Sequence, residues 1–391
     1  MDNNRLFKLG LLFGTICIIL SCQKKAQSSS TLEQDSPRLL AYYTYWKSEY
    51  RADKIPYNKL NFICHAFIRP QADGSLWVPE TYIEPELISN AHAAEVKVLA
   101  SIGGASGGEK FSAIASDPVL RDTFANNLES FLRTHGYDGV DIDWEFPQNA
   151  TDRANQNLLI EAIRTKFNSS PQPAPLWLIS MAVASGNWYG QWNDYNTLNE
   201  YVDFYNLMTY DFHGSWSDHS GHNSPLYRGN DFEMEGNVQA ALHYTLNITP
   251  TVPPDKINVG IPFYGRNFTT TEELYDSCPG NCSTIDYNYN EIVPLIDNGW
   301  TEHWDSASQV PYLTNDMGTG MLTYDNPRSV QLKARYALEM NTGGVFVWAL
   351  GADYIAGTGQ PLIDALYDAC SKSNRIYLPS ILKKMPLIPL T

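Results

Sequence analysis

Apolar runs of strand length recur along the chain at 39–45, 60–68, 96–102, 139–144, 176–183, 202–209, 257–263 and 344–348. Their length and their β-branched and aromatic content are those of buried strands. Several intervals between them switch to a helical period. In 118–134 the apolar positions are Val119, Leu120, Phe124, Leu128, Phe131 and Leu132, with Ser116 or Asp117 as cap and Pro118 in the first turn. Segments 155–167, 238–246, 330–340 and 361–370 are similar. Eight strands alternating with helices predict an α/β fold, a (β/α)8 TIM barrel. A doubly wound open sheet is the alternative, but no Gly-rich turn after the first strand supports a nucleotide site. The interval 267–324 is far longer than an ordinary connection. Carrying Tyr287, Tyr289, Trp300 and Trp304, it reads as a small inserted subdomain between strands seven and eight, forming one wall of a cleft.

In such a barrel the active site forms at the C-terminal rim of the strands, and the chemically notable residues fall there. Ser101-Ile102-Gly103-Gly104 ends strand three, Glu145 strand four, Tyr210-Asp211 strand six, Tyr264-Gly265-Arg266 strand seven and Trp348 strand eight. Strand four is the most informative. Its sequence, Asp-Gly-Val-Asp-Ile-Asp-Trp-Glu-Phe-Pro over 138–147, alternates Asp141, Asp143 and Glu145 with Val140, Ile142 and Trp144. A side-chain period of two puts all three acids on one face. Two alternating acids fit a wet strand face; three ending at Trp-Glu-Phe-Pro require that some be protonated or hydrogen-bonded. A carboxyl group protonated near neutral pH is what a general acid needs. A calcium loop would demand Gly where Phe146 stands. Gly103 and Gly104, taken alone, read equally as tight-turn residues, and Trp348 as core. His213, His219 and His222 fit no standard ligand spacing, so no metal site is predicted.

Composition narrows the partners. A formal net charge of -16 over 391 residues argues against nucleic acid, which is held by basic surface. The 24 Tyr and 10 Trp, many beside Gly, Asn or Asp, include residues of a kind that stacks on sugars, although cores and interfaces use the same residues. Arg5 and Lys8 precede the apolar stretch 9–20 and then Ser21-Cys22, a secretory signal too short for a confident membrane span. Residues 1–21 thus form a signal peptide that resembles a bacterial lipoprotein signal, with Cys22 carrying the lipid; 22–37 reads as a tether. The expected location is the bacterial cell envelope, at the outer membrane or surface, or outside the cell. Cys278 and Cys282 flank a tight turn and could close a disulfide, while Cys64 and Cys370 read as buried hydrophobes. Residues 38–371 form the expected catalytic domain, and the tail 372–391 has no assignment.

On the acid motif together with Tyr42-Tyr43-Thr44-Tyr45-Trp46, Ser101 to Gly104, Met208 to Gly214, Tyr264-Gly265-Arg266 and Val345 to Trp348, the chain resembles the family 18 glycoside hydrolases, of the chitinase type with an α+β insertion. The resemblance implies a β-1,4-linked N-acetylglucosamine polymer or oligomer as substrate, no cofactor, and a retaining, substrate-assisted mechanism. It makes Glu145 the proton donor, Asp143 the group orienting the acetamido group, Asp141 the sharer of a proton with Asp143, and Tyr210 the donor to the acetamido carbonyl. Asp211 and Arg266 would contact sugar near the cleavage point. Trp348 would form the floor, Tyr42 and Trp46 the non-reducing side, with Met208 beside the acetamido group. Phe67, Gly103, Gly104 and Tyr264 complete the expected binding residues. The chain departs from the pattern after Gly104, where many relatives carry Trp and this one Ala105, and at Phe146, commonly Tyr. Two rivals remain: an endo-β-N-acetylglucosaminidase on N-glycans and a non-catalytic chitin-binding lectin. A monomer is expected.

Overall fold

The computed structural model describes residues 36–171, 176–229, 236–248, 252–278 and 280–372. The signal with Cys17 and Cys22, almost all of the tether and all but the first residue of the tail lie outside them. Eight parallel strands close on themselves: β1 (Arg38–Thr44), β2 (Phe62–Pro70), β3 (Lys97–Gly103), β4 (Gly139–Asp143), β5 (Leu178–Ala184), β6 (Phe204–Met208), β7 (Ile257–Pro262) and β8 (Gly344–Trp348). Each pairs with the next, and β8 pairs with β1, so no edge is left open. With helices around it this is a (β/α)8 barrel.

Alternation sorts the side chains. Leu40, Tyr42, Phe62, Cys64, Leu99, Leu178, Phe204 and Phe346 fill the barrel interior, while the residues between them pack outward beneath the helices. The helix Pro118–His135 is capped by Asp117, which accepts from the backbone of Val119 and Leu120, and stops at Gly136 in the left-handed region. The helix Ala150–Ser169 begins well before 155, because its first turn is polar and is set by the Asn149 cap instead of by apolar periodicity.

The strand after β7 leaves the barrel at once. Tyr264–Phe268 pairs with Thr284–Asn288 and Met321–Thr323, and Val310–Asn315 and Trp300–Asp305 complete a five-stranded antiparallel sheet. The inserted sheet therefore begins at Tyr264, ahead of 267, and draws Tyr264 and Arg266 from its own first strand. The disulfide Cys278–Cys282 closes its first hairpin, and both cysteine amides donate to the loop after β6, at Asp218 and Ser217.

That loop is also braced from below. Lys333, fully buried on the helix Pro327–Glu339, donates to Asp325 at 2.6 Å and to Ser224 Oγ at 2.8 Å. Ser224 Oγ donates in turn to the Thr209 carbonyl at 2.6 Å, one residue before Tyr210. Removing one partner of a buried ion pair leaves an uncompensated charge, so Lys333→Ala should cost about 3–5 kcal/mol in urea unfolding. Lys333→Met combined with Asp325→Leu should recover most of that loss.

Candidate active site

Asp141 lies at mid-barrel with no solvent exposure. The parallel register sets Ser101 and Ser180 level with it on the flanking strands. Ser101 Oγ (2.7 Å) and Tyr42 Oη (2.9 Å) donate to its Oδ2, and Ser180 Oγ (2.6 Å) and Asn206 Nδ2 (3.2 Å) to its Oδ1. Burial raises its affinity for a proton, and these four donors pull the other way by favouring the carboxylate.

Asp143, also buried, has no such help. Its Oδ1 has no hydrogen-bond partner among the described residues. Burial, with the charges of Glu145 and Asp141, holds its carboxyl well above the usual range. Glu145 is pushed up to about 7 by burial, with the charge of Asp211 adding to it. The three form one titrating cluster, with the donors concentrated on Asp141 and protons favoured on the two outer members. Between them Trp144 turns outward and stacks on Phe111 at 5.5 Å, anchoring the strand end in the core under the helices.

Gly103 and Gly104 are more than turn residues. Both have φ in the left-handed region, at 119° and 83°. A Cβ on Gly103 would lie 2.0 Å from the Asp143 carbonyl, and one on Gly104 2.6 Å from the Phe67 ring. The Gly104 amide donates to that same Asp143 carbonyl at 3.0 Å. The glycines let β3 press against the end of β4 and fix where Asp143 sits.

The aromatic residues form a continuous run beside the acids. Trp46, exposed to 49 %, lies 6.2 Å from Phe67, which stacks on Trp348 at 5.5 Å. Tyr42 meets Trp348 edge-on at 5.4 Å but is buried, with its hydroxyl committed to Asp141. It therefore backs Trp348 from inside the barrel, and its burial does not fit the cleft-lining position expected from the sequence. Met208 and Tyr210 are half-buried and pack on the same interior cluster. Burial, helped by the charge of Asp143, keeps the Tyr210 phenol far above its ordinary range, so its hydroxyl stays a donor.

On the inserted sheet, Arg266 pairs with Asp286 through Nε (2.8 Å) and with Asp211 through Nη2 (2.9 Å), and donates to the His213 carbonyl. Tyr264 Oη donates to Asp211 at 2.5 Å. These bonds join the insertion to the barrel rim. The three histidines go to separate partners: His222 to Asp305, His219 to Asp218, His213 Nδ1 to the His222 carbonyl.

Sequence reasoning missed Ser180, Asn206 and Asp286, and three exposed aromatics. Trp216 lies over the Arg266 guanidinium at 5.1 Å; Tyr189 stacks on Phe146 at 4.6 Å, with Trp188 exposed next to it. For Ser180 and Asn206 the available signal was a polar residue interrupting an apolar strand.

Residues 38–353 match the family model described as Glycosyl hydrolases family 18. The chain belongs to this family. Similar proteins include chitinase A1 of Niallia circulans, 29 % identical over 290 residues that cover 66 % of this chain and 41 % of that protein. A probable endochitinase of Caenorhabditis elegans is 34 % identical over 305 residues, covering 73 % and 47 %. The chain thus spans less than half the length of either. Among solved structures, a family 18 N-acetylglucosaminidase from Paenibacillus barengoltzii aligns with TM-score 0.76 and 27 % identity, over 85 % of this chain and 99 % of that one. The Group IV chitinase of Ostrinia furnacalis in complex with allosamidin aligns with TM-score 0.78 and 26 % identity, over 86 % and 99 %.

In this family 18 site, Glu145 carries a testable cost. Its folded pKa of about 7 exceeds the unfolded value of about 4.3, so its contribution to stability is present at low pH and lost as pH rises through 7. Glu145→Gln should therefore melt above wild type at pH 8, with the difference shrinking toward pH 4, as read by calorimetry.

Proposed function

We propose that the protein is a chitinase that cleaves β-1,4-linked N-acetylglucosamine chains with retention, using the substrate's own acetamido group as nucleophile. The observation that carries this reading is a buried Glu145, whose affinity for a proton is raised by burial, two residues along from an Asp143 carboxyl that has a free, buried oxygen. Ordinary retaining glycosidases need a second carboxylate about 5 Å away as nucleophile, whereas family 18 chemistry is substrate-assisted.

In this reading a sugar sits on Trp348 with its acetamido group turned toward Asp143 and Tyr210. Glu145 passes its proton to the glycosidic oxygen as the bond from that oxygen to the anomeric carbon breaks. The acetamido oxygen attacks the anomeric carbon from the opposite face, giving a cyclic oxazolinium ion. As the ion forms, the proton of the inner pair passes from Asp143 to Asp141, so that Asp143, now a carboxylate, accepts a hydrogen bond from the acetamido N–H and stabilises the positive charge, while Tyr210 orients the acetamido oxygen. Water then adds at the anomeric carbon, returning a proton to Glu145 and opening the ring with the original configuration. Sharing of the Asp143 proton with Asp141 belongs to the same proposal.

The test uses chitooligosaccharides, chitin and a high-mannose glycoprotein, with the product anomer followed by proton NMR. Turnover of chitooligosaccharides with the β-anomer appearing first supports the reading; release of glycan alone selects an endoglycosidase, and binding without turnover a lectin. Glu145→Gln should lose about 10²–10⁴ in kcat. Asp143→Asn should lower kcat far more than affinity. Because Glu145 must be protonated to act, kcat/KM should fall as pH rises through about 7.

The reading extends to location, through a lipid on Cys22 that would hold the enzyme at the cell envelope. Cys22→Ser should move the protein from the membrane fraction to the soluble one.

A further inference from the structure

A line of polar side chains crosses the otherwise apolar barrel interior. Arg38 opens β1 at the end of the barrel opposite the acids. Its Nε donates to Asn258 Oδ1 at 2.8 Å, Asn258 Nδ2 donates to Asn206 Oδ1 at 2.9 Å, and Asn206 Nδ2 donates to Asp141 Oδ1 at 3.2 Å. Asn206 and Asn258 have no exposure and Arg38 only 7 %. A guanidinium can only donate and a carboxylate can only accept, so each amide between them has one allowed orientation. Both amides therefore point their donors toward Asp141, and the bonds polarise in one direction.

The cation is placed with care. Its hydrogen-bond partners are the Asn258 amide and the Asp255 carbonyl, with the face of Phe204 at 5.1 Å; the Asp255 carboxylate acts on it through space, and burial outweighs that charge. A Cβ at Gly343 would lie 1.6 Å from Nη2, so the glycine makes room for it. A buried charge and two buried amides are costly where Leu or Val would pack, unless the charge acts on something.

We propose that Arg38, through Asn258 and Asn206, is a positioning residue for the active-site proton: in the free enzyme, before substrate arrives, it holds the negative charge of the inner acid pair on Asp141 and leaves the proton on Asp143. The titratable groups around Asp141 are Tyr42 from β1, Cys64 from β2, Asp143 and Glu145 from its own segment, Tyr210 after β6, and Tyr82 behind β2. The neighbouring strands β3, β5, β6 and β7 present Ser101, Ser180, Asn206 and Asn258, and β8 presents Phe346 and Trp348. Burial keeps Tyr42, Tyr82, Cys64 and Tyr210 neutral, which leaves Arg38 as the cation facing the pair from inside the barrel.

The consequence for catalysis rests on the roles proposed above for Glu145 and Asp143. Without Arg38 the inner pair ionises less readily, and its remaining proton moves to Asp141. Asp143 then carries charge next to Glu145, which holds its own proton more tightly. The high-pH fall of kcat/KM should therefore move to higher pH in Arg38→Met and Asn258→Leu, and in Arg38→Lys it should return most of the way to its wild-type position. A purely structural role would lower the profile without moving its limbs.

Carboxyl-13C NMR of aspartate-labelled protein tests the relay without turnover, with Asp141→Asn assigning the resonance. In wild type Asp141 should titrate below Asp143, and in Asn258→Leu its midpoint should rise by about one pH unit or more. A cooperatively melting Asn258→Leu with an unchanged Asp141 midpoint overturns the proposal, even where wild type cleaves chitooligosaccharides. Should wild type fail to cleave them, the functional reading falls while the titration still decides the relay.

Discussion

Moving the charge of Asp141 out of water to the centre of a barrel costs several kcal/mol unless donors replace the solvent. Here the donors come from β1, β3, β5 and β6, one each. They reach the same carboxylate only if the sheet is closed and the registers are correct. A slip of one residue on β3 or β5 would turn its serine outward. The charge therefore acts as a reference point for the closure of the sheet, and the positions of Asp143 and Glu145 further along β4 follow from it.

Asp143 lies two residues on, where the donors stop. Its unpartnered oxygen is what a folded protein ordinarily avoids, since a buried acceptor left unpaired costs free energy. The strand end is nonetheless held rigidly, by Trp144 on Phe111, by the Gly104 amide and by the close approach of Gly103. A group left unsatisfied yet fixed in place is suited to a partner that arrives later. In the proposed reading that partner is the N–H of the acetamido group.

The barrel was legible in the sequence because its strands are buried on both faces and read as short apolar runs. The acids were legible because three carboxylates at alternate positions are rare enough to demand a reason. What the sequence could not show is which acids would be compensated. Ser180, Asn206, Asn258 and Arg38 are far apart in the chain; Ser180 and Asn206 reach Asp141, and Asn258 and Arg38 line up behind Asn206, only through parallel register. Likewise Tyr42, in an aromatic cluster, looked like cleft lining, and only the packing of Trp348 above it puts its hydroxyl inside. The start of the inserted sheet was placed late because Tyr264–Phe268 follows β7 with no loop break, only Phe263 between them; its antiparallel partners lie downstream.

That missing break has a functional meaning. With only Phe263 between Pro262 and Tyr264, the inserted sheet starts directly from β7 at the rim. Asp211, held with φ at 59°, receives both Tyr264 and Arg266 from it, and Asp286 secures Arg266 from the neighbouring strand. Around the same loop, the disulfide hairpin grips Ser217 and Asp218, and His222 reaches Asp305. The wall that carries Arg266 and Trp216 is thus referenced to Tyr210, and through Thr209 and Ser224 to the buried Lys333. In the proposed reading, sugars bound along Trp46, Phe67 and Trp348 would meet a wall already fixed beside Tyr210, so binding energy would go to orienting the scissile bond instead of to closing the cleft.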